Sequence, residues 1–207
     1  MSRAFEVLFR AECGATAARA KFLSRVFGIF SEEIVRIWAG DARAPYEEVE
    51  PGGRPTLKAA GATRGHTLDF LLRDRSTNQV FVVEMKCEIE YQDFKYFVLE
   101  DPKQLAHHTK DAFRAFLAAA GAGPRPSATL RGREIAYDGA ILIWGAVTEE
   151  GRQAVRARTG LHDVLSVKTI CADLATWRNP RYAQLLQDRL RWSREMFEGL
   201  QALGGTG

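Results

Sequence analysis

The run Ala140-Ile141-Leu142-Ile143-Trp144, inside the uncharged stretch Gly139–Val147, constrains the fold more than any other feature of the chain. Side chains of a strand alternate between two faces, so a segment apolar at every position must be covered on both sides. That demands a sheet packed between helices, and the rest of the sequence supplies them. From Ala15 to about Ala39, Phe22, Val26, Phe30, Ile34, Ile37 and Trp38 recur at helical spacing and predict a long amphipathic helix. A shorter helix is expected over Arg3–Glu12. Asp101-Pro102 sets an N-cap before a proline at the first helical position, predicting a helix that runs to about Ala120 and stops at Gly121-Ala122-Gly123-Pro124. Glu149–Thr159 reads as a short helix, and Pro180 opens a final one carrying Tyr182, Leu186, Leu190, Phe197, Leu200 and Leu203. Strands are expected at Thr67–Arg73, Val80–Ile89, Gly139–Val147 and Val164–Cys171, with Pro- and Gly-rich bends and one short strand over 40–66 and a polar connection over 125–137. The fold class is α/β, a central mixed sheet flanked by helices.

Composition narrows the function classes. A hydrophobic share of 46% and a charged share of 27% exclude wholesale disorder, and 207 residues can bury a core without staples. The uncharged stretches fall well short of the roughly 20 residues of a membrane helix. Glu6, Arg10 and Glu12 interrupt any apolar leader. Cys13, Cys87 and Cys171 are odd in number and form no CxxC pair, which argues against a disulfide framework or a cysteine-rich zinc site and for a cytoplasmic setting. A formal charge of +3 permits a polyanionic partner without demanding one. Phosphate-binding loops, HExxH and GxSxG are absent from the sequence.

The chemistry gathers on the hairpin. In Val80–Ile89, Phe81, Val83, Met85, Cys87 and Ile89 share one face, and Glu84, Lys86 and Glu88 fall on the other. The strand begins Val-Phe-Val-Val, so it enters a buried sheet before it meets the charges. Folding the preceding strand back about a turn centred between Ser76 and Thr77 sets Asp69 opposite Glu84. Directly paired residues have Cβ atoms roughly 4.5–5.5 Å apart, and two carboxylates that close need a proton or a cation. Hard oxygen ligands suit Mg²⁺.

Asp69, fourteen intervening residues and then Glu84-Met85-Lys86, with apolar residues before each acid, resemble the motif of the PD-(D/E)xK nuclease superfamily. Leu68 stands at the position of the proline that gives the group its name. The resemblance implies a restriction-endonuclease-like fold with an αβββαβ core and covers about residues 20–147; residues 148–203, outside it, read as a helix-strand-helix extension of the same single domain. It further implies Mg²⁺, with Mn²⁺ able to substitute, held by Asp69 and Glu84. Hydrolysis of phosphodiester bonds in DNA would follow, with Lys86 positioning water and stabilising the phosphorus centre.

Many such nucleases carry an acid on the first core helix. Glu33, three residues after Phe30 and four before Ile37, lies on the apolar stripe and is the expected third metal-binding acid, whereas Glu32 points off it. The alternative for Glu33 is a pair with Arg36. RecB-type members place a Gln on the helix after the catalytic strand, matched here by Gln104, with His108 where the group has Tyr; Gln104 would hold Lys86 or a phosphate. Equally, Asp101 and Gln104 have capping-box spacing. Lys103, His107, Lys110 and Arg114 line one side of a continuous helix and read as a nucleic-acid-binding track or as a solvated face. Glu88 and Glu90 are extra ligands or surface residues, and His66 a substrate contact or a loop residue. DNA is the expected partner. A catalytically inactive nucleic-acid-binding or assembly module on the same fold is the rival reading, and the final helix, with Trp192 and Phe197, offers a packing face for a homodimer.

Overall fold

In the computed structural model, which describes residues 17–58, 65–87, 96–121 and 127–204, the apolar run at 139–144 is an interior strand of a five-stranded sheet. The elements in chain order are α1 (Ala17–Ala39), β1 (Tyr46–Glu48), β2 (Thr56–Leu57), β3 (His66–Thr67), β4 (Phe70–Asp74), β5 (Val80–Lys86) and β6 (Val98–Leu99). A 3₁₀ turn at Pro102–Leu105, α2 (Asp111–Ala119), β7 (Ser127–Leu130), β8 (Arg133–Ala136), β9 (Gly139–Trp144) and β10 (Ala146–Val147) follow. The chain ends with α3 (Glu149–Thr159), β11 (Asp163–Ser166), α4 (Val167–Thr176) and α5 (Pro180–Gly204).

The main sheet has the order β1-β4-β5-β9-β11. Its first three strands pair antiparallel and its last three parallel, so the sheet is mixed. It curls enough for the charge of Asp163 on one edge strand to act on the Tyr46 phenol on the other. Strand alternation divides the core in two. Phe70, Leu72, Phe81, Val83, Ile141 and Ile143 pack on one side against Ile34, Trp38, Ile170 and Leu174 of α1 and α4. Leu71, Val82, Ala140, Leu142 and Trp144 pack on the other side against Phe113 and Phe116 of α2 and Val155 of α3. The Trp38 indole N–H donates to Asp173 at 3.0 Å and ties α1 to α4. A four-stranded antiparallel sheet, β3-β2-β7-β8, and a parallel pair, β6 with β10, complete the structure. Among the described residues no helix is long and apolar enough to cross a membrane.

Several expectations are corrected. The polar connection over 125–137 is a hairpin, β7 to β8, whose two-residue turn puts both Arg131 (φ 48°) and Gly132 (φ 78°) in the left-handed region that such turns require. The strand expected over Val164–Cys171 stops at Ser166. The Ser166 hydroxyl there accepts the Thr169 N–H at 3.3 Å, and Val167, Ile170, Cys171 and Leu174 continue as the buried face of α4. The segment after residue 147, expected as an extension, thus gives the main sheet its outer strand and the core one of its helices.

The helix expected over 101–120 is broken. Lys110 is extended, at φ −66° and ψ 140°, and serves as N-cap of α2. The imidazole of His108 stacks 4.6 Å from the Phe113 ring and 5.8 Å from Trp144, in contacts that belong to the intervening bend. On α1, Phe22 is exposed, and on α5 so are Leu186, Leu190, Trp192, Met196, Phe197 and Leu200; Tyr182 and Leu185 of α5 pack on the core. The expected helix at Arg3–Glu12 and the end of the hairpin strand at Ile89 lie outside the described residues.

Candidate active site

The register of the central hairpin is fixed at its turn. Asp74 Oδ1 accepts the backbone N–H groups of Ser76 at 2.7 Å and Thr77 at 3.0 Å, and Asn78 closes the loop at φ 60°. From there the ladder runs Arg73↔Val80, Leu72↔Phe81, Leu71↔Val82 and Phe70↔Val83. The ladder ends there, with Asp69 and Glu84 the next residue on each strand. Asp69 ends the ladder with its own side chain: its N–H donates to Val83 O at 3.1 Å, and its Oδ2 accepts the Met85 N–H at 2.8 Å.

Glu84 is only 7% exposed because Val82 and Leu142 precede and flank it in the sheet. Its carboxylate is ion-paired with the Lys86 ammonium two residues along the same face. Burial pushes the Glu84 carboxyl up, Lys86 pulls it down and the Asp69 charge pushes it up again, leaving it above the usual range. The Lys86 ammonium also lies 5.9 Å from the centre of the Phe113 ring. Glu84 and Lys86 are thus paired at the end of a buried strand, with Asp69 near enough for its charge to act on Glu84.

Two residues that the sequence did not single out join them. The Arg54 guanidinium lies 2.6 Å from Asp69 Oδ1 and 3.5 Å from Glu32 Oε1, so it bridges the hairpin to α1. Burial alone would lower its pKa, but the hydrogen bond to Asp69 and the charges of Glu32, Asp69 and Glu84 raise it. Arg54 sits in a Pro- and Gly-rich segment that carries no periodicity, and its partner lies fifteen residues away. No local pattern could have found it.

Glu33, expected as the metal-binding acid of α1, does not reach this group. It is ion-paired with Arg189 of α5, whose guanidinium also lies 5.8 Å from the Phe30 ring. The apolar stripe did locate a satisfied carboxylate, but at this height the stripe faces α5; Glu32, one residue back, faces the hairpin.

Gln104 is likewise corrected. Its Oε1 accepts the N–H groups of Glu100 and Asp101 at 2.7 and 2.8 Å, and its Nε2 donates to Val98 O at 2.8 Å. With Asp101 it forms the capping box that its spacing allowed, and the amide's hydrogen bonds go to backbone. The proposed track of Lys103, His107, Lys110 and Arg114 needed one continuous helix. Lys103 is in the 3₁₀ turn, Lys110 caps α2, Arg114 is on α2, and His107 stacks between Tyr96 and His108 in the bend. His66 is half-buried in β3, opposite Leu57. Glu88 and Glu90 lie outside the described residues.

As the side chains stand, no group of three or more His, Cys, Asp or Glu among the described residues is placed to hold a metal ion. The donor set nonetheless suits a hard divalent cation, which takes one or two carboxylates and completes its shell with water and phosphate oxygen. The space between Glu32 and Asp69 already holds a cationic group, Arg54. Searches against protein-family models, curated proteins and solved structures found no match for the chain.

Proposed function

We propose that the protein is a divalent-metal-dependent nuclease that hydrolyses phosphodiester bonds in DNA. The observation that carries this reading is the end of the β4–β5 ladder, where Asp69 caps the Met85 N–H and its charge reaches Glu84, itself paired with Lys86. The order α1, β1, β4, β5, α2, β9 agrees with an αβββαβ core, which supports a restriction-endonuclease-like fold. The group also lies where the parallel strand β5 ends, the side of an α/β sheet that commonly opens to ligands.

Asp69 and Glu84 would hold Mg²⁺, with Glu32 rather than Glu33 as the acid from α1. Bound there, the ion supplies Lewis-acid polarisation of a phosphoryl oxygen and a more acidic water. Phosphodiester hydrolysis forms a bond from water oxygen to phosphorus, breaks the ester P–O bond and returns a proton to the leaving oxygen. Negative charge spreads over the phosphoryl oxygens on the way. Lys86, held in place by Glu84, offsets that charge from a fixed position, and such preorganised groups typically contribute about 10²–10³ in rate.

The test is cleavage of supercoiled and linear DNA with Mg²⁺, Mn²⁺ or EDTA, comparing wild type with Lys86→Ala. Cleavage is expected with metal, abolished by EDTA and reduced about 10²–10³-fold in the variant, whose circular dichroism stays native. Cutting indifferent to both EDTA and the substitution would sink the proposal. DNA retained without cutting under every condition would favour the inactive binding module instead, a reading the ion pairing of Asp69 and Glu84 by Arg54 and Lys86 supports.

A further inference from the structure

We propose that Arg54 is the resident cation of this site, bridging Glu32 and Asp69 in the metal-free protein and leaving them when a divalent ion is seated. The inference rests on the nuclease reading above and concerns how that site is kept before metal arrives. Without Arg54 the group would be three carboxylates against a single ammonium, with Glu84 buried among them. The guanidinium, 2.6 Å from Asp69 and 3.5 Å from Glu32, brings the count to three against two. Such an arrangement holds the acids together without a metal, and for the same reason competes with one.

The geometry separates a fixed base from a movable tip. Gly53 is buried, and a Cβ there would come within 2.7 Å of Leu130 Cδ1 and 3.2 Å of Glu50 O, so the backbone is pressed against β7. Pro55 is buried on the other side, and its carbonyl accepts the Leu68 N–H at 2.8 Å, one residue before Asp69. The Arg54 side chain between them is 49% exposed. Rotation about the side-chain torsions can release Asp69 while the loop stays put. Arg54 is then the group that makes room, and Lys86, on the strand itself, stays with Glu84.

A cation that must be displaced lowers apparent metal affinity by the fraction of molecules in which it has already left. If that fraction is about one tenth, removing the guanidinium raises affinity about tenfold. The experiment is calorimetric titration of Mn²⁺ into the metal-free protein, with melting temperatures recorded in parallel, for wild type, Arg54→Gln and Asp69→Asn. Arg54→Gln is expected to bind Mn²⁺ about tenfold tighter, to melt lower without metal, and to gain more from it; Asp69→Asn is expected to lose binding. If wild type binds and Asp69→Asn does not, yet Arg54→Gln binds no tighter, the displacement proposal fails and the metal site stands. If neither wild type nor Arg54→Gln binds Mn²⁺, both fail. Wild type alone gives a second readout should Arg54→Gln not fold: its Arg54 Nη2 protons, held by Asp69 in EDTA, should exchange faster with water when Mg²⁺ is added. An unchanged exchange rate at saturating Mg²⁺ overturns the proposal.

Discussion

Glu84 on β5 and Asp163 on β11 lie in the same sheet with one strand between them, and each is 7% exposed. Their surroundings differ in stoichiometry. Asp163 receives two N–H groups of Arg152 at 2.8 and 2.7 Å and its neighbour Val164 N–H at 2.7 Å, and the Tyr46 phenol lies near enough to feel its charge. One acid meets one base in a fork-to-fork arrangement, and the remaining lone pairs are used. Burial first, and then the Asp163 charge, push the Tyr46 phenol up, so it remains a donor. Glu84 instead shares two bases with two other acids, and its carboxyl is held above the usual range. A balanced buried pair is what closing a curled sheet requires. An excess of carboxylate over base is poor for stability and useful for holding a cation.

The largest expected effect breaks the balanced pair. Arg152→Met leaves the Asp163 carboxylate buried without its counter-charge and should cost about 3 kcal/mol in urea unfolding, because an uncompensated buried charge is the expensive case. Glu84→Gln, at the same depth, should stay within about 1 kcal/mol of wild type or exceed it, since an isosteric neutral group relieves both burial and repulsion by Asp69. The pH dependence sharpens the contrast. Between the ordinary value of 4.5 and the raised value in the folded protein, the native state binds more protons at Glu84 than the unfolded chain does. Stability therefore falls as pH rises through that window, and Glu84→Gln removes that part of the slope. In EDTA the variant should gain on wild type from pH 4.5 upward and then level off. Equal losses in Arg152→Met and Glu84→Gln would mean the two sites are structural alike.

A second comparison uses adjacent residues on one helix. Glu32 faces Arg54 and the hairpin, and Glu33 faces Arg189 and α5. Glu32→Gln should weaken Mn²⁺ binding by about tenfold, within the 10–100-fold typical of groups that orient metal ligands. Glu33→Gln should leave metal binding alone and cost less than about 1 kcal/mol, since its ion pair is partly exposed. The reverse pattern would restore the assignment made from the apolar stripe. That stripe chose the wrong acid of the two, for Glu33 is no more buried than Glu32: a period of 3.6 says which residues share a side, not which neighbour covers it at each turn. The hairpin was legible for the opposite reason. Its register depends on a six-residue turn and on alternation, both local, so Asp69 and Glu84 could be paired by counting. Arg54 is brought in by contacts fifteen and twenty-two residues away and left no trace in spacing. The start of α4 was hidden because Val167, Ile170, Cys171 and Leu174 follow directly on a strand, so the change from period two to 3.6 falls within three residues of apolar sequence.

The smallest expected effect concerns Gln104, where two readings of one residue differ in what they leave intact. All three of its hydrogen bonds go to backbone, at Glu100, Asp101 and Val98, and these hold the start of the 3₁₀ turn onto β6. Gln104→Ala should therefore cost about 1 kcal/mol, within the ~0.5–2 kcal/mol range for lost caps, and lower the melting temperature. Metal affinity and the rate of DNA cleavage per folded molecule should stay within a factor of about two, because the amide contributes to neither. Gln104→Glu keeps the acceptor that the Glu100 and Asp101 N–H groups need, gives up only the donor to Val98 O, and should recover part of the stability. A cleavage rate that collapses in Gln104→Ala while its melting temperature stays at the wild-type value would show the opposite. The side chain would then have to leave its cap in the substrate complex and reach Lys86 or a phosphate, and the broken helix over 101–120 would have to re-form around it.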